Sequence, residues 1–354
     1  MGPLADILAA RIRATGPIML SDYMAECLTH PTHGYYTNRD PLGSAGDFTT
    51  APEISQMFGE LLGLALAKSW LDQGAPSPIT LAEPGPGRGT LMADILRATR
   101  SVPGFHAAAR VTLIEVSPTL RTRQAEALRG HAPTWLNTLD ALPTDTPLFL
   151  IANEYFDALP IRQFRRSGTG WSERMVGLTG GALSFGWSPP APIASLPDAA
   201  QDGDIVERNA PAEAQTAAIA QRISANGGAA LIIDYGDWRS LGDTFQAVRN
   251  HDPVDPLSDP GTADLTAHAA FEPLATAATG AGASVTQMTT QGILLERLGI
   301  TPRAQALAKN LTGDALNSHI AAHRRLTHPD EMGHLFKAIA IHPMNTPPPP
   351  GFDP

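Results

Sequence analysis

A chain of 354 residues, 43% of them apolar, has enough apolar sequence for a sizeable core and reads as one large α/β unit carrying added lobes. Its formal net charge of −10 argues against a nucleic-acid backbone as the main partner, because phosphate binding needs a basic footprint. The single cysteine, Cys27, excludes an internal disulfide and has no Cys or His neighbour at zinc-ligand spacing, which fits a reducing cytoplasm.

Leu4, Ile7, Leu8 and Ile12 recur at helical spacing, so the N-terminal stretch reads as an amphipathic helix, and Asp6 sets it apart from a signal peptide. Pro3 and Asp6 also depart from the pattern of a myristoylation acceptor. A second helix is expected from Ser21 to Leu28, then a turn at His30 to Gly34 and an irregular block up to Glu53. A helix from Ile54 to Leu71 leads through Gln73 to Pro76 into the first strand. No apolar run is long enough to cross a membrane as a helix, so membrane insertion is not expected.

Ile79 to Ala82 is an apolar run that ends on Glu83 and passes directly into Gly85, Gly87 and Gly89. Buried strand, tight turn and helix start follow one another here, with backbone N–H groups left open for a ligand. A dinucleotide loop would want a third glycine at position 90, which is Thr90; the spacing here is acid-x-G-x-G-x-G. That pattern resembles motif I of class I S-adenosylmethionine-dependent methyltransferases. A glycine turn used for packing alone is the competing reading, and the acid before the first glycine counts against it.

Val111 to Glu115, Leu148 to Asn153 and Ala229 to Tyr235 read as further strands, each an apolar run closed by polar residues. Strands alternating with helices predict a parallel sheet covered on both faces, whose ligands sit at the carboxyl ends of the strands. Glu115 closes the second strand and is placed to accept both ribose hydroxyls, against the plain reading of a polar strand end. After the next strand, Asn153, Glu154 and Asp157 occupy the position that faces the methyl group in a methyltransferase. Methyl transfer needs alignment above all, and a guanidinium acceptor would need carboxylates such as Glu154 and Asp157. The alternative there is an N-capped helix starting at Asn153.

Short alternating pieces between about 161 and 210 predict an inserted antiparallel lobe. Runs near 283–289 and 335–341 predict an antiparallel edge, and the proline-rich 346–354 reads as a disordered tail. The expected division is a helical region over 1–75 packed on the core, a methyltransferase domain over 76–345 with an insertion at about 161–224, and that tail. Trp135 is a candidate for stacking on adenine, although core placement is the simpler reading, as it is for Tyr235. Arg88 could meet the cofactor carboxylate or simply lie on the surface.

Gly34-Tyr35-Tyr36, Gly46 to Glu53, Phe58-Gly59-Glu60, Glu83 to Arg97, Asn153 to Pro160, Leu231 to Gly236, Gly261 to His268 and Met332 to Lys337 together resemble the MidA/NDUFAF7 family. The resemblance implies a Rossmann-like class I fold, S-adenosylmethionine as cofactor, and a protein arginine as methyl acceptor. In the mitochondrial branch it implies a respiratory complex I subunit as target, in support of complex assembly, and the mitochondrial matrix as location. Glu83, Gly85, Gly87, Gly89 and Glu115 are then the cofactor residues, and Glu154 and Asp157 the catalytic ones. Asp47, Phe48, Thr50 and Glu53, on a loop that closes over the site or forms a self-satisfied Ω-loop, are candidates for the substrate side. So are Asn153, Asp264 and His268, the last two sharing a face if they lie on a helix. A non-catalytic assembly chaperone on the same fold, and a small-molecule O- or N-methyltransferase, are the readings set against this one. No metal-ligand spacing stands out among the eleven histidines, and neither the target nor the oligomeric state is legible.

Overall fold

The computed structural model describes residues 2–38, 49–197 and 199–353. The chain divides into two compact units, each assembled from three separate segments. Thr49–Phe156, Glu213–Trp238 and Ala270–Pro354 build one around a central sheet. Met1–Phe48, Asp157–Ala212 and Arg239–Ala269 build the other.

In the first unit the strands are β1 (Ile79–Pro84), β2 (Ala109–Ile114), β3 (Thr134–Leu136), β4 (Leu148–Asn153), β5 (Gly228–Asp237) and β6 (Phe336–His342). Across the sheet the order is β3-β2-β1-β4-β5-β6. The first five run parallel, whereas β6 is antiparallel to β5, and the short pieces Ser284–Val285 and Thr289–Thr290 pair with β6 in turn. This is the class I methyltransferase sheet with its antiparallel edge, as expected. Every residue of β1 and β4 is buried, which is why both read as unbroken apolar runs rather than as alternating ones.

Two helices frame the loop after β1. The helix α1 (Gln56–Asp72) starts where the Ser55 hydroxyl accepts the Met57 N–H at 3.3 Å, and α2 (Thr90–Thr99) starts at Gly89. They pack through Gly59 and Gly63 of α1: a Cβ at Gly59 would come within 2.7 Å of Asp94 Cβ, and one at Gly63 within 2.8 Å of Ile95 Cα. Leu62, Leu66, Ile79, Leu81, Met92, Ile95, Phe149 and Ile151 form the core between helices and sheet. A third helix, α3 (Pro118–Ala127), follows β2 and is capped by the Ser117 hydroxyl.

The second unit is helical and antiparallel. Pro3–Thr15 and Leu20–Thr29 are its long helices, and Leu4, Leu8, Tyr23 and Met24 pack with Ile161 and Val176 in its own core. Ile18–Met19, Gly170–Thr179, Arg162–Ser167 and Ile205–Arg208 lie side by side in that order, with Ala182–Trp187 added on Gly170–Thr179. Asp252–Val254, Gln246–Arg249 and Asp264–Thr266 make a separate three-stranded sheet.

The expected N-terminal region 1–75 is therefore shared out, with Thr49 onward belonging to the sheet unit. The strands of the inserted lobe occupy 162–208, and from Glu213 the chain is helix of the sheet unit. The tail differs from the disorder its composition predicts: Phe352 is buried in the sheet unit's core, and Arg297 binds Asp353 at 2.7 Å. One buried aromatic and one ion pair tie down what its prolines leave without regular hydrogen bonds.

Candidate functional site

In the sheet unit the strand order reverses between β1 and β4, and the carboxyl ends of these neighbours are where an open α/β sheet leaves a crevice. Two sequence candidates meet there, the glycine loop after β1 and Asn153-Glu154 after β4.

Glu83, the penultimate residue of β1, is buried, and burial pushes its carboxyl up to about 8 against the opposing hydrogen bond from the Met92 backbone. Its Oε2 has no hydrogen-bond partner among the described residues, and neither has the buried Oδ1 of Asn153 at the end of β4. Buried polar atoms without a partner are costly, which sets these two apart from the other strand-end residues of the site.

The three glycines are used differently. Gly85, with φ of 60°, lies under Tyr155, whose ring would stand 2.9 Å from an added Cβ. Gly87 adopts φ of 53° and offers its carbonyl to the Gln124 Nε2 at 2.7 Å. Gly89 is left-handed with φ of 84°, and a Cβ there would come within 3.3 Å of Gln124 Cα on α3. Gly89 thus lets α3 approach closely, the packing role of a third glycine in such loops.

Glu115 follows β2 and is buried. Its Oε1 accepts the Ser117 N–H at 2.7 Å and its Oε2 the Gln124 amide at 3.2 Å. Burial raises its pKa, and these two bonds pull in the opposite direction. Gln124 is fully buried, and its Oε1 accepts the Trp135 indole N–H at 2.8 Å. Trp135 is therefore anchored on β3 by its polar edge and half-buried against the core. Tyr235 packs against Phe336 in that core. Gln124 escaped the sequence reading, although a glutamine on the buried face of a helix, one turn after Leu120, is a detectable signal.

Residues 51–54 form a helical turn beside the loop. Glu53 accepts the Thr90 hydroxyl at 2.5 Å and faces Arg88 at 3.8 Å, so Arg88 is engaged by protein. Ala51 donates its N–H to Glu154 Oε1 at 3.0 Å, and the same oxygen accepts from Asn153 Nδ2 at 2.9 Å. Thr50 precedes this turn at its N-cap position, without a side-chain cap bond. Asp47 and Phe48 lie outside the described residues.

Glu154 has φ of 50° and the residues after it form bends and turns, so no helix starts at Asn153 and the capped-helix alternative does not hold. The turn is instead held by Asp234 of β5, whose Oδ2 accepts the N–H groups of Tyr155 and Phe156 at 3.2 and 2.8 Å. Surrounding protein pushes the Glu154 carboxyl up to about 7, although part of its surface remains open.

Asp157, Asp264 and His268 belong to the second unit. Tyr36 donates its hydroxyl to the buried Asp264 at 2.7 Å, and burial, with the charges of Asp264 and Asp157, raises the Tyr36 phenol. Asp264–Thr266 is a strand, so Asp264 and His268 do not share a helix face; short pairing with Gln246–Arg249 overrides the four-residue spacing. The His268 N–H donates to the Thr244 hydroxyl at 2.9 Å.

A family model described as "Putative S-adenosyl-L-methionine-dependent methyltransferase" matches residues 61–289. A Danio rerio protein named protein arginine methyltransferase NDUFAF7, mitochondrial, is 37% identical over 94% of this chain and 85% of its own. The Homo sapiens protein of the same name is 35% identical over 96% of this chain and 83% of its own. A crystal structure from Burkholderia thailandensis bound to S-adenosyl-homocysteine has 29% identity and a TM-score of 0.82, covering 97% of this chain and 94% of that one. No helix among the described residues is long and apolar enough to cross a membrane. The chain belongs to the MidA/NDUFAF7 family and is an S-adenosylmethionine-dependent methyltransferase.

Proposed function

We propose that this enzyme methylates an arginine side chain of a protein, with a subunit of respiratory complex I as the expected target. Relatives named protein arginine methyltransferase support the acceptor class, and the carboxylate of Glu154 at the switch point carries the reading. In the cofactor site, the main chain at Gly85, Gly87 and Gly89 runs along the nucleoside, with Tyr155 and α3 packed against Gly85 and Gly89 from the protein side, and Glu115 accepts from its ribose. Glu83 offers Oε2 to the ammonium of the methionine half.

S-adenosylmethionine supplies an electrophilic methyl carbon. Bound there, it would give that methyl to a guanidinium nitrogen held by Glu154 and leave as S-adenosylhomocysteine, the nitrogen's proton passing to the Glu154 carboxylate. Glu154 pairs with the guanidinium and turns one nitrogen toward the methyl group. The bonds from Ala51 and Asn153 to one oxygen fix the direction of that carboxylate. Asp157 is proposed as the second acid on the acceptor side, and Thr50, Glu53, Asn153, Asp264 and His268 as contacts of the substrate.

Glu154→Gln should leave S-adenosylhomocysteine affinity within about twofold while lowering turnover by about 100-fold or more, the usual scale for a group acting at the reacting centre. With its carboxyl near 7, wild-type kcat/KM should rise as pH increases through that value, because the ionised form binds the cation. Labelled cofactor, a lysate of the source organism and mass spectrometry of the modified protein test the acceptor. Label on arginine supports the proposal; label confined to other residues or small molecules refutes it. The relatives are named mitochondrial, and the cytoplasm is proposed here because the lone buried thiol of Cys27 suits a reducing compartment.

A further inference from the structure

Gln124 lies 37 residues from Gly87 in sequence, yet one carboxamide joins four parts of the sheet unit. Its Nε2 donates to the Gly87 carbonyl at 2.7 Å and to Glu115 Oε2 at 3.2 Å, while its Oε1 accepts from Trp135 at 2.8 Å. Both of its donors and its carbonyl oxygen are engaged, on the glycine loop, the acid after β2 and the ring on β3, in a fully buried setting. The backbone packs closely too: a Cβ at Gly89 would stand only 3.3 Å from Gln124 Cα. Glu115 is held from both sides, by Ser117 on Oε1 and by Gln124 on Oε2.

We propose that Gln124 is a positioning residue for the cofactor: its amide aims the Glu115 carboxylate and the Gly87 turn as one piece, ready for the ribose. This rests on the assignment of Glu115 to the ribose. Burial pushes the Glu115 carboxyl up and the Gln124 donor opposes that push, so a carboxylate without this bond holds its proton to higher pH. Losing that donor should weaken binding and move its pH dependence together, which a loss of packing alone would not do.

The test is calorimetric titration of S-adenosylhomocysteine from pH 5 to 8 into wild type, Gln124→Met, Glu115→Gln and the double variant, with melting temperatures alongside. Gln124→Met keeps the side-chain length and removes the donor. Its affinity should fall by about 10- to 100-fold, the scale of a hydrogen bond to a charged group, and the pH at which binding is half lost on acidification should move upward. In the Glu115→Gln background the same change should cost clearly less than in wild type, because no carboxylate is left to orient and only the bond to the Gly87 carbonyl is lost.

Should Gln124→Met fail to fold, Gln124→Glu serves in its place: the new carboxyl can donate only while protonated, so binding should weaken as pH rises, opposite in sign to wild type. A folded Gln124→Met protein with wild-type affinity and an unmoved midpoint overturns the inference and leaves the ribose assignment standing. Unchanged affinity in Glu115→Gln overturns both.

Discussion

A carboxyl buried as deeply as Glu83 has to be compensated, and among the described residues its Oε2 has nothing to bind. The fold retains the Glu83 proton up to about 8, whereas an unperturbed glutamate releases it near 4.5. The folded state therefore binds more protons across that window, and the stability this group contributes is present below 4.5 and lost as pH rises toward 8. Glu83→Gln should flatten the fall in melting temperature between pH 5 and 8 by about 2 °C or more in the ligand-free protein, measured by calorimetry. The same variant should weaken cofactor binding. Gly87→Val should abolish binding, since φ of 53° excludes a branched side chain; normal affinity in a folded variant would contradict the loop assignment. Glu83, Glu115 and Glu154 were legible in the sequence because each closes or follows an apolar strand. Gln124 shows in the sequence only as a buried helix position, because its bond to Gly87, like that of Tyr36 to Asp264, is made by the fold.

Among the elements, the turn after β4 decides where Glu154 points. Asp234, fully buried at the far end of β5, holds that turn through two backbone N–H groups and also accepts the Tyr235 N–H at 2.8 Å. Asp234→Asn puts an amide donor against these donors and should cost about 2 kcal/mol or more, read as a shift in the denaturation midpoint. Unchanged stability would mean that the turn is fixed by other contacts. Strand positions were legible from apolar runs, but the order and register that set β1 beside β4 at the switch point, with Ala82 opposite Leu150, were not. The spacing of Asp264 and His268 misled because three residues of strand pairing outweigh a helical interval that carries no apolar stripe.

At the scale of the molecule, each unit is stitched from three discontinuous segments, which a reading along the chain renders as consecutive blocks. The inserted lobe was visible as a change of period, but its sharing of a core with 2–38 was not, since long-range packing leaves no local mark. A net charge of −10 should favour a basic acceptor surface, so KM for the arginine-bearing protein should rise with ionic strength while kcat stays nearly constant. The claim on which the rest depends is that the loop of Gly85, Gly87 and Gly89, together with Glu115, holds the nucleoside. A crystal structure with S-adenosylhomocysteine tests it most directly. The account predicts ribose hydroxyls within hydrogen-bonding distance of the Glu115 carboxylate and the nucleoside lying along the loop; a ligand bound elsewhere, or a loop closed against it by native side chains, would contradict it.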